Sequence, residues 1–153
     1  MNEPILNEQD RAEITKILGA MTGDVQVDLY TRRSSILVPG QEPCETCPDT
    51  EQLLTEVAAS WTVSLILSLS AATDPEPARA AGLEGIQPAL TFRSPAAKGT
   101  LRYLGLPAGY EFRTLLDVLL AVSKGESGLS DEAKEKVRKV SQPVKLQVFV
   151  TPG

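Results

Sequence analysis

The chain has 153 residues, 42% hydrophobic and 23% charged but only 5% aromatic, a balance that suits one globular domain with a sizeable core. A formal net charge of −5 opposes a nucleic-acid partner, which needs a concentrated positive face. The absence of histidine excludes imidazole base catalysis, histidine-dependent triads and histidine metal ligands.

From Asn7 to Met21, the residues Ile14, Ile17, Leu18 and Met21 recur at helical spacing, with Asn7 as the N-cap and Gly23 marking the far end. The run Val25-Gln26-Val27-Asp28-Leu29-Tyr30-Thr31 alternates and is rich in β-branched and aromatic residues, so it predicts a strand. A long loop containing Pro39, Gly40 and Pro43 leads to Cys44-Glu45-Thr46-Cys47, and Leu53, Leu54, Val57 and Ala58 then form a helical face.

Trp61, Val63, Leu65, Leu67 and Leu69 are apolar at every second position, which predicts the next strand. Asp74-Pro75 starts a short helix that Gly82 stops. Strands are expected at Ala89 to Phe92 and Thr100 to Leu104, joined by a connector too short for a crossover. Phe112, Leu115, Leu116, Leu119 and Val122 then line one face of a helix, and Ser130 caps another that carries Ala133, Val137 and Val140.

Strand, helix, strand, helix, strand hairpin and helix, in that order, predict an α/β unit with a central mixed β-sheet flanked by helices on both faces, the thioredoxin-like fold. That unit would cover residues 1–129. Residues 130–153 repeat the opening pattern, because Val144 to Thr151 alternate like Val25 to Thr31, and so resemble the start of a second unit. A strand with no neighbour must still satisfy its backbone groups, so Val144 to Val150 are expected to pair with their own sheet's edge or with another copy, giving a homodimer.

Two cysteines separated by two residues at a loop-to-helix junction suit disulfide exchange. One turn brings the sulfurs within bonding reach, and the free N–H groups at the helix start stabilise a thiolate. Cys44 is then the exposed attacking thiolate, and Cys47, more buried, is the resolving thiol. Glu45 and Asp49 oppose the helix dipole, which points to a reducing pair; Thr46 is the other motif neighbour. Half of a zinc site is the competing reading, although the chain supplies no further cysteine or histidine, so no metal is expected. An unreactive pair is another.

Gln87-Pro88 heads a predicted strand, where proline sacrifices no ladder hydrogen bond and an X-Pro bond can be cis; a trans proline at a strand edge is the alternative. Asp28, on an otherwise apolar strand, is a candidate proton relay for Cys47 if buried near the dithiol, or an ordinary residue at the sheet's exposed end. Arg102 and Tyr110 read as ordinary surface or core residues.

The Cys44 to Cys47 motif, Gln87-Pro88 and above all Arg102-Tyr103-Leu104-Gly105-Leu106-Pro107-Ala108-Gly109-Tyr110-Glu111-Phe112 resemble the protein disulfide oxidoreductases, glutaredoxin-like proteins of archaea and thermophilic bacteria. Val144 to Pro152 looks like the strand leading to that family's second Cys-x-x-Cys. Glu45-Thr46 replaces the aromatic-containing pair typical of such motifs. The resemblance implies a thioredoxin-fold enzyme acting on protein disulfides, with Cys44 as nucleophile, Cys47 as resolving thiol and Pro88 as a cis proline that, with Gln87, meets the substrate. It implies no bound cofactor, with electrons coming from a partner reductase or small thiol. The apolar stretches 61–69 and 115–122 are too short to cross a bilayer and the N-terminus has no basic start before an apolar core, so no membrane partner and a cytoplasmic location are expected. The alternative is a thioredoxin-like binding or assembly module with little or no redox turnover.

Overall fold

The computed structural model describes residues 3–31, 43–60, 65–71 and 76–150. The elements in chain order are α1 (Glu8–Leu18), β1 (Val25–Thr31), α2 (Cys47–Ser60), β2 (Leu65–Ala71), α3 (Glu76–Ala80), β3 (Ala89–Arg93), β4 (Leu101–Leu104), α4 (Tyr110–Lys124) and α5 (Asp131–Arg138). Among the described residues no helix is long and apolar enough to cross a membrane.

Asn7 caps α1 as its position predicts. Its side chain accepts from the Asp10 N–H at 2.9 Å while the Asp10 carboxylate accepts from the Asn7 N–H at 3.0 Å, so two orphan donors are satisfied reciprocally. The helix stops at Leu18 rather than Met21. Gly19 is the C-cap, and the Ala20 and Met21 N–H groups fold back onto the Ile17 and Leu18 carbonyls, which closes the last turn early.

The four strands form one mixed sheet in the order β2-β1-β3-β4. Strand β1 runs parallel to β2, with Val25 opposite Leu65 and Thr31 opposite Ala71, and antiparallel to β3, with Asp28 opposite Thr91 and Tyr30 opposite Ala89. Strand β4 closes the edge antiparallel to β3. Within the expected second strand, Leu65 to Ala71 pair with all seven residues of β1, while Trp61 and Val63 lie outside the described residues, as do Asp74 and Pro75.

The two faces of the sheet are covered unequally. Val25, Val27, Leu29, Leu90 and Phe92 meet Ile14 and Leu18 of α1, Leu53, Leu54 and Val57 of α2, and Leu115, Leu116, Leu119 and Val122 of α4 in one apolar cluster. Burying each such aliphatic side chain contributes about 1.5–3 kcal/mol before entropy is counted. On the other face, among the described residues, Tyr30 and Ala89 meet Ala78 of the short α3 and Leu83.

Two polar latches tie the layers. The buried Ser123 hydroxyl accepts from the Thr22 and Gly23 N–H groups and donates to the Gly23 carbonyl, fixing the turn into β1 against the end of α4. Glu56 of α2 accepts from the Ile5 and Leu6 N–H groups, Gln52 and Arg11, which anchors the start of the chain. Burial pushes the Glu56 carboxyl up, but the hydrogen bonds from Gln52, Leu6 and Ile5 and the charge of Arg11 together outweigh it and hold the group below the usual carboxylate range.

Of the two pairings expected for the end of the chain, the one with its own sheet is not formed. Ser130 does cap α5 by accepting from the Ala133 N–H, but α5 buries no residue, and residues 144–150 join no edge of the sheet. Leu146, Val148 and Phe149 are 85–90% exposed. An alternating sequence supplies the strand pattern but no partner, and among the described residues no further strand covers either edge of this sheet.

Gly125 ends α4 at φ 66°, and a Cβ there would lie 2.3 Å from the Ala96 carbonyl oxygen; Gly128, at φ 68°, has nothing within 4 Å. The Gly128→Ala chain should lose about 1 kcal/mol from the left-handed backbone alone, and Gly125→Ala about 3 kcal/mol because overpacking is added. Urea unfolding of the two variants measures the difference, and equal losses would mean that the Ala96 turn yields freely.

Candidate functional site

Strand β1 delivers the chain to its C-terminal end at Thr31, and the chain returns to that end as the turn that enters α2. The Cys44 and Cys47 sulfurs are bonded to each other, with Cα atoms 5.4 Å apart. The structure refines the expected position of the pair. Cys47 is the first residue of α2, and Cys44 stands three residues ahead of it in the turn. The Thr46 carbonyl accepts both the Thr50 N–H at 3.0 Å and the Thr50 hydroxyl at 2.7 Å, so Thr46 is where the helical ladder begins.

Burial divides the two sulfur-bearing residues. Cys47 is 1% exposed, whereas Cys44 is half-buried, and Glu45, Thr46, Pro48 and Asp49 around them are exposed. Cys44 is thus the more accessible residue of the pair, and Cys47 is enclosed. The positive end of α2 faces the pair, and the Glu45 and Asp49 carboxylates oppose it.

The Gln87–Pro88 peptide bond is cis. Pro88 is buried and immediately precedes Ala89, which pairs with Tyr30 near the C-terminal end of β1, so sheet register puts the proline at the same end as the dithiol. The Pro88 carbonyl accepts from the Gly105 N–H at 2.9 Å, joining it to the loop between β4 and α4. Gln87 is half-buried, and its Oε1 is buried with no hydrogen-bond partner among the described residues.

Asp28 is not brought to the dithiol. It is buried, but it shares a sheet face with Gln26 and Tyr30, while α2 packs on the opposite face against Val25, Val27 and Leu29. Its carboxylate accepts from Gln26 Nε2 at 3.0 Å, from the Thr91 hydroxyl at 3.2 Å and from the Arg93 guanidinium. A two-residue period marked Asp28 as exceptional but could not say which face carries the helix.

Residue reading passed over the apolar groups at the dithiol end. Ile86 is 39% exposed, Leu104 49% and Tyr110 85%, and all three flank the cis proline or the loop hydrogen-bonded to it. Their signal in the sequence is position: each adjoins a segment already singled out. Burial keeps the Tyr103 hydroxyl pKa above its ordinary value, and the charge and hydrogen bond of Glu111 raise it further, so this phenol stays a neutral donor.

No protein-family model and no curated protein matches the chain. Among solved structures it is similar to a protein disulfide oxidoreductase from Aeropyrum pernix K1, at 26% identity and a TM-score of 0.70, over 89% of this chain and 56% of that one. The fold is thioredoxin-like. It is also similar to the alkylhydroperoxide reductase AhpF of Enterococcus faecalis V583, both as the C503A mutant and as the isolated NTD_N/C domain, at 18% identity and a TM-score of 0.68 over 86% of this chain and 59% of theirs. The chain therefore spans less than two thirds of the length of these proteins, and the second likeness concerns the fold alone. This thioredoxin-like chain carries a Cys-x-x-Cys disulfide at the head of a helix and a cis proline at the same end of the sheet.

Because Asp28 and α2 lie on opposite faces, Asp28→Asn should leave the pH profile of disulfide exchange at Cys44 and Cys47 unchanged. Stability should fall by about 1–2 kcal/mol as the buried acceptor of three hydrogen bonds weakens. Exchange rates across pH 5–9 with urea midpoints check both parts, and an altered profile would reinstate the relay.

Proposed function

We propose that the chain is a thiol–disulfide oxidoreductase acting on protein disulfides. The observation that carries this reading is the unequal burial of a bonded Cys44–Cys47 pair at the start of α2. In the reduced protein the Cys44 thiolate attacks one sulfur of a substrate disulfide, forming a mixed disulfide and releasing the other sulfur as a thiolate that takes up a proton. Cys47 then loses its proton and attacks the Cys44 sulfur, which releases the second substrate thiol and leaves the Cys44–Cys47 disulfide. Two electrons pass to the substrate, and a partner reductase or small thiol returns them.

The role of each group follows from its place. Cys44 is the accessible sulfur; Cys47 is shielded from outside thiols but within reach of Cys44. Gln87 and Pro88 line the docking surface, where the Gln87 backbone meets an extended substrate segment and Ile86, Leu104 and Tyr110 supply apolar contact. Glu45 and Thr46 set the local field, and the carboxylate beside the thiolate biases the pair toward reduction of substrates. Such a pair suits the cytoplasm, where disulfides are transient and catalytic rather than structural.

Disulfide-dependent insulin reduction with dithiothreitol tests the assignment. The unmodified chain should accelerate it, Cys44→Ser should reduce the rate to background, and Cys47→Ser should accumulate a mixed disulfide visible on a non-reducing gel. Equal rates for the unmodified and Cys44→Ser chains would favour the binding-module alternative.

Residues 130–153 we read as the beginning of a second unit, whose exposed alternating segment 144–150 needs an edge strand to pair with. In a solution of this chain alone the available edge belongs to another copy, so dimerisation through the segment is expected. Sedimentation between about 5 and 200 µM should show a monomer–dimer equilibrium that Val148→Lys abolishes; a monomer throughout, together with rapid amide exchange at 144–150, would reject it.

A further inference from the structure

Behind the sheet, on the face away from α2, a cleft of about 390 Å³ opens between α3 and strands β1, β3 and β4. That volume lies within the range of small-molecule sites. Its floor is a cross-strand rung: Asp28 opposite Thr91, and Thr91 opposite Arg102, so the three side chains share one face. Pro77, Ala80 and Ala81 make a small apolar wall.

The polar groups in the cleft are not balanced against each other. Asp28 is fully engaged by Gln26, Thr91 and Arg93. Arg102 uses only its Nε, which donates to the Ala81 carbonyl at 2.7 Å, and among the described residues no carboxylate pairs with it. Four guanidinium N–H groups therefore remain, held at the lip of the cleft by that one bond. Tyr30, which also lines the cleft, is 7% exposed, and its hydroxyl has no hydrogen-bond partner among the described residues. As a lining group of the cleft, it can donate to an acceptor bound there.

Two guanidiniums and one carboxylate line the cleft, so it carries one net positive charge in a chain whose net charge is −5. We propose that this cleft binds a small carboxylic acid, its carboxylate accepting hydrogen bonds from the Arg102 guanidinium and the Tyr30 hydroxyl, and its apolar body lying against Pro77, Ala80 and Ala81. A planar guanidinium with parallel N–H groups fits a carboxylate in the bidentate manner. The site is separate from the dithiol and needs neither cysteine reduced.

Benzoate is the probe, because it combines one carboxylate with a flat apolar body. Titrated into the oxidised chain at constant ionic strength, it should give saturable amide shifts in ¹H–¹⁵N spectra at Ala80, Thr91, Arg93 and Arg102. The dissociation constant should rise about threefold in Tyr30→Phe and at least about tenfold in Arg102→Gln. Tyr30→Phe removes only an unpartnered hydroxyl, so it keeps the fold and the test stands even if Arg102→Gln loosens α3. Benzamide, the neutral counterpart, should give no saturable shift. The proposal is overturned if benzoate does not saturate, if benzamide binds as well, if Tyr30→Phe binds with unchanged affinity, or if inorganic phosphate occupies the cleft while benzoate does not.

Discussion

Strand β1 is hydrogen-bonded along both edges and covered on both faces, and the rest of the molecule is arranged around that double demand. All seven of its residues pair with β2 on one side and Gln26 to Tyr30 pair with β3 on the other, so its backbone groups find partners within the sheet rather than in solvent. Val25, Val27 and Leu29 must then find apolar cover on one face, which α1, α2 and α4 supply together. Because β2 is parallel to β1, the chain has to cross over between them, and α2 is that crossover. Its first residue therefore lies at the C-terminal end of β1, and that residue is Cys47. The antiparallel entry of β3 brings Pro88 to the same end. The dithiol and the cis proline share one end of the sheet because one central strand has two neighbours of opposite direction.

Burial at that end differs over a single turn. Cys47 is buried, while Cys44, ahead of the helix, is half-buried. On the proposed function, a mixed disulfide with a large partner forms on the more exposed Cys44, and Cys47 then attacks the sulfur to which it was bonded before. In that reading, steric access sets the order of events.

Much of this was legible in the residues, and the parts that were not share a cause. Asn7, Ser130 and the Phe112 to Val122 face declare themselves through local hydrogen bonding or periodicity, and they appear where expected. The register of Leu65 to Ala71 is decided by β1, a partner far back in the chain that alternation alone does not identify. Asp28 stood out as a carboxylate in an apolar strand, yet its meaning depended on which face α2 would choose. Arg93 and Thr91, which engage it, come from a strand more than sixty residues later. Val144 to Val150 show the converse: alternation without a neighbour specifies a capacity for pairing and not a position.

The separation of the two faces also decides what tunes the reactive sulfur. Asp28, Arg93 and Arg102 carry the charge behind the sheet, but the apolar layer of Val27, Leu29 and α2 stands between them and Cys47. Cys44 is in contact with solvent, where charges beyond about 8–10 Å are largely screened. Its thiolate is therefore governed by its own turn: about half a positive charge from the end of α2, against the exposed carboxylates of Glu45 and Asp49. Asp49, within the first turn, complements the same dipole that would otherwise serve the sulfur, and Glu45 is its immediate neighbour in the chain. The helix start stabilises the turn while its stabilisation of a thiolate is partly cancelled. The proposed reduction of substrates rests on this balance, in which a sulfur so placed keeps the nucleophilicity of an ordinary thiol rather than the leaving-group character of a strongly acidic one.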